Sequence, residues 1–478
     1  MSVIDEKIIE SFRDEGFQKL TKIQSICIPV ISRMQNCLLV APTGSGKTEA
    51  SIIPIFSLLE NERAKKSNFI EENAIIVLYI TPLRALNNDV LRRIINYAKK
   101  RNFDAQIRHG DTTRTAREKL IKKPPHILIT TPESLGIILT HEKFRSYLKH
   151  LRWVIVDEVH ELIGNERGTH LTVSLEHLQN ISSHNVVRIG LSATIGNLKE
   201  AAYFISGTGR KCSILVDNTI RKYDIDVKYI KGSINNVAKF VLKYLNDNKI
   251  CGSILLFTNT RDEAEYIGTT IRNQNDIPIE VHHGSLSRET REETENKLRK
   301  GLTGIVVCTS SLELGLDIGS VELVIHYGSS KQVSKLVQRI GRSRHVNFKS
   351  AKGLIIANSG DDELESLSII NRMKRRSIEI QKPHYNSLDV VSHHLVGFVI
   401  STSEPKRLEE VYQIITRAYP FRELPFSDLK QCVVLLDSFK IIKYDPENQT
   451  YARRIKSYKY YFENISTIPN MVKFEVID

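Results

Sequence analysis

Two α/β lobes in tandem, followed by a helical module that ends in a hairpin, are what this sequence predicts. Three observations predict it. Short apolar, β-branched runs alternate with longer amphipathic runs. The alternation weakens near residue 205 and restarts near residue 225. After about residue 385 the strand-sized runs give way to three successive helical patterns. Strand–helix alternation implies a parallel sheet covered by helices on both faces. A length of 478 residues fits about three domains.

The elements follow in order. In the first lobe, strands are expected at 36–41, 74–80, 127–131, 152–157 and 187–191, and helices over 47–60, 84–100 and 171–180. The stretch SGTGRKCSILVDN, within 205–222, reads as a connector. In the second lobe, strands are expected near 225–230, 252–257, 279–283, 303–308, 321–327 and 353–357. LDVVSHHLVGFVI, KRLEEVYQIITRAY and SDLKQCVVLLDS then read as helices. Ser427 is the expected cap of the third, with Asp428 favouring its positive end. KIIKYDPENQTYARRI reads as a hairpin about DPEN. Three helices and a hairpin suggest a winged-helix domain. The expected boundaries are 1–207 for lobe one, 208–222 for the connector, 223–384 for lobe two, 385–456 for the winged helix, and 457–478 for the start of a further C-terminal region.

Composition narrows the function. Hydrophobic residues at 41% can fill several cores without disulfide or metal staples. A formal net charge of +13 suggests a polyanion partner, nucleic acid first. The six cysteines include no C-x-x-C pair, so no zinc site or other structural metal is expected, and reduced thiols fit a cytosol. No apolar run approaches the ~20 residues of a membrane span, and the N-terminus lacks a signal pattern. A soluble, cytoplasmic protein with no membrane partner is expected.

The strongest motif is Ala41-Pro42-Thr43-Gly44-Ser45-Gly46-Lys47-Thr48, between a strand and a helix. Backbone N–H groups at a helix N-terminus bind phosphates, and glycines let the loop close around them. Lys47 suits the β- and γ-phosphates of ATP, and the Thr48 hydroxyl suits Mg²⁺. Ala41 stands where the general pattern has glycine, which is tolerable if that position needs no positive φ. Asp157-Glu158-Val159-His160 follows the strand Trp153 to Val156. Asp157 suits Mg²⁺, and Glu158 suits positioning and deprotonating the attacking water. In Gln338-Arg339-Ile340-Gly341-Arg342, two arginines three apart share a helix face and could meet γ-phosphate charge.

Together these residues resemble a superfamily 2 helicase of the DExH type. Ala41–Thr48 is similar to motif I, Asp157–His160 to motif II, Ser192-Ala193-Thr194 to motif III, 309–319 to motif V and Gln338–Arg342 to motif VI. Gln24 resembles the Q-motif residue that reads adenine. TPLRALNND (81–89), HGDTT (109–113), TTPESL (130–135), DEVHEL (157–162) followed by RGTHL, LLFTNTRDEAE (255–265), HHGSLSRE (282–289) and YGSSKQVSKLVQRIGRSRH (327–345) are closest to the large helicase-related (Lhr) family. The resemblance implies an archaeal or bacterial source, two RecA-like lobes, a winged helix and a further C-terminal region. ATP-Mg²⁺ would lie between the lobes, held by Gln24, Thr43, Gly44, Ser45, Gly46, Lys47, Thr48, Asp157 and Asp317. Glu158, Lys47, Gln338, Arg339 and Arg342 would carry catalysis. His160, Ser192, Thr194 and Gly315 would couple γ-phosphate status to the grip on the strand. RSRH departs from many relatives, which have Gly at position 344 and Arg at 345.

The resemblance also implies nucleic-acid contacts at Arg84, Asn87, Gly110, Asp111, Thr131, Ser134, Thr258, Arg261, His283, Gly284 and Thr309. All are phosphate-type contacts that position a strand without reading sequence. Residues 91–123 hold eleven Lys/Arg against three acids, a duplex-facing patch or a solvated helix face. YARRIKSYKYY (451–461) reads as an antiparallel strand with one buried face, and the paired histidines 282–283 and 393–394 as packing groups. The expected protein is a monomeric, nucleoid-associated helicase moving 3′→5′ on single-stranded DNA, opening DNA or RNA:DNA duplexes from tailed ends, in repair or recombination. An RNA helicase on structured or ribosomal RNA, and an ATP-gated clamp without unwinding, stay open.

Overall fold

The computed structural model describes residues 3–465, apart from 43, 66–72, 83, 111, 194, 220–221, 275–276, 314–320 and 344–349. The first sheet contains β1 (Cys37–Val40), β2 (Val77–Ile80), β3 (Ala105–Arg108), β4 (Ile127–Thr130), β5 (Trp153–Val156), β6 (Val187–Ser192) and β7 (Ser213–Val216), in the order β3-β4-β2-β5-β6-β1-β7. The second contains β8 (Lys222–Tyr229), β9 (Ile254–Phe257), β10 (Ile279–His282), β11 (Ile305–Cys308), β12 (Leu323–Tyr327) and β13 (Ser350–Ala357), in the order β10-β11-β9-β12-β13-β8. Neighbouring strands in both sheets run parallel. The chain thus has the expected α/β fold with two RecA-like lobes.

Burial explains the sequence pattern. CLLV, VLYI, ILIT and WVIV are buried at every position, as parallel strands covered on both faces must be. Helix starts carry their own caps. Thr21 and Thr260 form reciprocal capping boxes with Gln24 and Glu263, which satisfy two otherwise orphaned N–H groups each.

Three local readings are corrected. The segment read as connector contains β7, which pairs with β1 from Cys37↔Ser213 to Val40↔Val216. It is a half-buried edge strand flanked by Gly207, Gly209 and basic residues, so its apolar signal is short and diluted. The third C-terminal helix is Phe426–Ser438 and begins before Ser427; its N-cap is Pro425, and the Ser427 hydroxyl instead bonds Asp428. The Tyr-rich stretch is strand only to Arg453, where β16 ends, and then forms the helix Ile455–Glu463. Ser457 and Tyr461, four apart, are its buried positions, so the period there is helical.

The C-terminal unit orders helix Leu388–Ile400, β14 (Lys406–Arg407), helices Leu408–Arg417 and Phe426–Ser438, then the hairpin of β15 (Ile442–Asp445) and β16 (Thr450–Arg453). Its sheet is β14-β16-β15, antiparallel. It docks on lobe one through buried histidines. His170 Nε2 meets His393 Nδ1 at 3.1 Å, and His394 Nε2 donates to the His170 carbonyl at 3.0 Å. Tyr461 stacks on His393 and donates to the Gly136 carbonyl at 3.0 Å. His393 and His394 are therefore packing and hydrogen-bonding groups.

Lobe one also buries a charge cluster. Glu176 Oε1 lies 2.6 Å from Arg188 and 2.7 Å from Arg210. Burial pushes the Glu176 carboxyl up, but the two guanidinium groups outweigh it and hold it below its ordinary range. Arg188→Met should destabilise the fold by roughly 3–5 kcal/mol in denaturant unfolding, because it strips a buried carboxylate of its main partner. A loss within about 0.5 kcal/mol, the range of an ordinary surface substitution, would contradict this account.

Candidate nucleotide site and nucleic-acid face

The order of the first sheet sorts its motifs. β5, β6 and β1 are adjacent, with Val40 level with Ser192. Their C-terminal ends deliver the phosphate loop, Asp157–His160 and Ser192 side by side. Ligands of parallel sheets bind at such ends.

In the loop, Gly44 and Gly46 have φ of +69° and +82°, which glycine alone adopts without strain. A Cβ on Gly46 would lie 2.6 Å from Gln24 Nε2. Ala41 is absent from the positive-φ residues, and its N–H donates to the Ser192 carbonyl at 3.1 Å. It prolongs β1, so alanine serves where glycine is usual. Lys47 opens the helix Lys47–Lys65, and its Nζ donates to the Ala41 carbonyl at 2.7 Å. The Thr21 hydroxyl donates to the Ser45 carbonyl at 2.9 Å, so the helix Lys22–Ser32 braces the loop. Gln24 accepts from the Thr21 N–H through Oε1, while its buried Nε2 has no partner among the described residues. An unsatisfied amide beside a glycine cradle fits a bound nucleotide base. Thr43 lies outside the described residues.

Asp157 is fixed from two sides. The Tyr79 hydroxyl donates to Oδ2 at 2.6 Å, and the Glu158 N–H to Oδ1 at 2.9 Å. Burial, then the Glu158 charge, pushes its carboxyl up to about 6, against Tyr79 and Lys47. A cation at this carboxylate would relieve that strain, and a hydroxyl with a carboxylate is the oxygen donor set that Mg²⁺ takes. Tyr79 escaped the sequence reading because VLYI looks like plain core; its hydroxyl is the single polar group in that run.

Glu158 has φ +49°, a left-handed conformation that costs on the order of 1–3 kcal/mol for a non-glycine residue. Its Oε2 is buried, makes no hydrogen bond among the described residues, and lies 3.5 Å from His160 Nδ1. His160 Nδ1 accepts from the Ser192 hydroxyl at 3.1 Å and the Ala193 N–H at 3.4 Å. Burial, then Lys47, pushes its pKa down to about 3, so the ring is neutral. The acidic motif and the Ser192 segment are thereby joined. Thr194 lies outside the described residues.

Lobe two contributes the helix Val333–Ile340 and Arg342 just beyond it. Arg339 pairs with Glu313 at 2.9 Å, bonds His326 Nε2 and lies over the Phe257 ring. Its guanidinium is committed within lobe two. The Arg342 side chain donates to the Glu313 carbonyl at 2.9 Å. Glu313 therefore organises both arginines, a role the sequence reading did not assign. A cavity of about 140 Å³ between the lobes is lined by His160, Glu161, Lys335 and Gln338 among others. Burial, then Glu313 and Glu158, pushes the Glu161 carboxyl up to about 7, opposed by Lys335 and Gln338. Gly315 and Asp317 lie outside the described residues.

The other half of each sheet carries the expected nucleic-acid residues. β3, β4 and β2 are adjacent, with Ile80 level with Thr130 and Arg108 level with Thr130. Thr131 caps the helix Pro132–Thr140 by accepting from the Ser134 N–H at 3.4 Å. Gly110 follows β3 on the exposed surface. Arg84 and Asn87 lie in the first turns of the helix Arg84–Lys100, where the backbone alone of residues 84–91 is described. Asp111 lies outside the described residues. In lobe two, β10, β11 and β9 are adjacent. Beyond them come His283 and Gly284, Thr309, and Thr258 with Arg261, in that order across the sheet. The His283 ring bonds Glu265 at 2.8 Å, a Cβ on Gly284 would meet open space, and Arg261 is exposed. The basic segment is partly spent on internal pairs: Arg93 with Glu49, and Lys100 and Arg101 with Glu15.

Comparisons agree with this arrangement. The family model for DEAD/DEAH box helicases matches residues 21–201, and that for the helicase conserved C-terminal domain matches 212–347. The ATP-dependent helicase Lhr-Core of Methanocaldococcus jannaschii is 37% identical over 99% of this chain and 58% of its own length. The Lhr helicase/uracil glycosylase of Escherichia coli is 31% identical over 86% of this chain and 31% of its own. This chain thus spans little more than half of the first relative. The structure of the Mycobacterium smegmatis helicase Lhr bound to ssDNA and AMP-PNP superposes with a TM-score of 0.85, at 29% identity, over 98% of this chain and 62% of that one. The chain thus carries a DEAD/DEAH box helicase domain over 21–201 and a helicase conserved C-terminal domain over 212–347, and its likeness is to helicases of the Lhr type.

Proposed function

We propose that this chain is an ATP-driven translocase that moves 3′→5′ on single-stranded DNA as a monomer and opens DNA or RNA:DNA duplexes in repair or recombination. The observation that carries the reading is the division of each sheet's C-terminal edge. One half of lobe one gathers the residues expected at the nucleotide, the other half those expected at backbone phosphates, and β10, β11 and β9 of lobe two carry the remainder of the second set. A strand lying across both lobes is then gripped on the same side that ATP closes. Directionality and duplex type rest on the likeness to Lhr helicases alone. We place the protein in the cytoplasm at the nucleoid; among the described residues no helix is long and apolar enough to cross a membrane.

The mechanism follows from the residues. Gln24 and the glycine loop seat the nucleotide, and Lys47 leaves the Ala41 carbonyl for the phosphates. Thr48 and Asp157 would hold Mg²⁺, which would supply charge neutralisation to the nucleotide's phosphates. Glu158, with a bare carboxylate oxygen, orients the attacking water and accepts its proton. Arg342 enters from lobe two as the lobes close. The Arg339–Glu313 pair holds the segment from which Arg342 projects, so Arg339 acts through position. The His160–Ser192 bond passes the state of the acidic motif to β6. We read the C-terminal unit as a winged helix; its helix Phe426–Ser438 offers Lys430 and Gln431 as the polar reach, so it braces the lobes and reads no sequence.

The test is ATP-dependent strand separation on 3′-tailed and 5′-tailed duplexes of DNA:DNA, RNA:DNA and RNA:RNA. Separation of the DNA and RNA:DNA duplexes from a 3′ tail only is expected. Preference for RNA:RNA would favour the RNA-helicase reading. Stimulated ATP turnover with every duplex left intact would make the protein a clamp.

A further inference from the structure

The segment between the helix Gly360–Lys374 and the helix Leu388–Ile400 leaves lobe two, crosses lobe one and enters the C-terminal unit. Its contacts are specific at each stage. Ile378 packs against the cluster formed by Val333, Leu336 and Ile340. The Glu379 carboxylate accepts the Val333 N–H through Oε1 at 2.7 Å and the Ser334 N–H through Oε2 at 3.2 Å. These are the first two N–H groups of the helix Val333–Ile340, whose own N-cap, Gln332, makes no side-chain cap bond. The helix that presents Arg342 is thus capped from 45 residues away in sequence. A carboxylate at that end also complements the helix dipole. Burial pushes the Glu379 carboxyl up, but the N–H groups it caps outweigh this and hold it below the usual range.

The same few residues lie flat on lobe one. A Cβ on Gly196 would come within 2.4 Å of the Glu379 carbonyl oxygen and 3.1 Å of the Ile378 carbonyl oxygen. Backbone cannot yield to such an overlap, so position 196 admits only glycine while the segment stays in place. Gly196 follows Ser192-Ala193-Thr194 by two residues. Next along the segment, Gln381 packs on Gly164, His384 Nε2 donates to the Gly164 carbonyl at 3.1 Å, and the Tyr385 hydroxyl bonds Glu200. Gly164 and Gly196 thus hold the segment from the end of the acidic-motif turn and the end of the β6 loop.

We propose that residues 377–386 form a strap between the lobes, and that Glu379 is the positioning residue that sets the Arg342 helix by reference to lobe one. The strap rests on the backbone beyond Ser192, which His160 ties to the acidic motif. A shift of that backbone on nucleotide binding moves the carboxylate that holds the arginine helix, and the strap carries the same shift to the C-terminal unit. The proposal deepens the ATP-driven reading above and rests on it.

The test combines three variants with two readouts on the full chain. In steady-state ATP turnover with saturating single-stranded DNA, Glu379→Ala should lower kcat by about 10- to 100-fold, as expected for a misplacement of about 1 Å, with KM for ATP unchanged. Glu379→Gln, which keeps one carbonyl acceptor, should fall between. Gly196→Ala should reproduce the loss from the lobe-one side. The double variant Gly196→Ala, Glu379→Ala should be no worse than the poorer single, since both act through one contact. The second readout is amide hydrogen exchange at Val333 and Ser334, which should accelerate in Glu379→Ala while the lobe-two strands keep their protection. Wild-type kcat in Glu379→Ala, or multiplicative losses in the double variant, would overturn the proposal; so would unchanged exchange at the two amides. Absence of turnover in the wild-type protein would overturn the functional reading and the coupling with it, while exchange would still decide whether Glu379 holds the helix.

Discussion

Lys47→Ala should lose at least about 10²–10³-fold in ATP turnover while the protein stays folded. The expectation comes from local geometry. Lys47 is buried at the first position of its helix, and its ammonium meets the loop at the Ala41 carbonyl. No flexible surface lysine can substitute for a charge held at the mouth of β1. Alanine is the best helix former, so the helix Lys47–Lys65 should survive the change. The phosphates, however, would lose the cation that the glycine loop is shaped around. Turnover measured with saturating single-stranded DNA, beside thermal unfolding, checks it. Near-normal hydrolysis in a folded variant would remove the nucleotide from this site.

Much of this site was legible because its signals are local. The phosphate loop is eight contiguous residues between an apolar strand and a helix, and Asp157–His160 follows another such strand. Each motif sits at the C-terminal end of a parallel strand, so the fold class alone places them on one edge. What the sequence hides is the order of the strands. Nothing in the chain announces that β5, β6 and β1 are neighbours, and only that order sets His160 against Ser192. The expectation for Ala41 held for a local reason, since the residue prolongs β1 and needs no positive φ.

The misreadings share a cause. β7 is four residues long and half-buried, so its pattern is weak until β1 is known to lie beside it. The stretch 451–461 interleaves tyrosines with basic residues, which resembles a strand with one polar face; burial of Ser457 and Tyr461 shows the helical period that packing selects. Tyr79 and Glu313 act through partners 78 and 26 residues away, Asp157 and Arg339, and long-range pairs leave no local signature. Glu379 lies outside every motif, and only the fold brings it to the N-terminus of the Arg342 helix.

If ATP is hydrolysed by a composite of both lobes, Arg342→Ala should separate nucleotide binding from turnover. Arg342 sits at the end of its helix, buried, with its side chain on the Glu313 carbonyl. The Arg339–Glu313 pair remains in the variant, so the fold of lobe two should hold. An arginine that meets the γ-phosphate at the transition state is worth about 10³–10⁵ in rate and little in ground-state binding. The measurement is binding of a fluorescent ATP analogue and ATP turnover, side by side, for Arg342→Ala and the wild-type protein with saturating single-stranded DNA. Binding within a few-fold of wild type, with turnover reduced by about 10³-fold or more, is the predicted result. Turnover close to wild type would contradict the composite site, and loss of binding in place of turnover would mean that lobe two holds the nucleotide and takes no part in its hydrolysis.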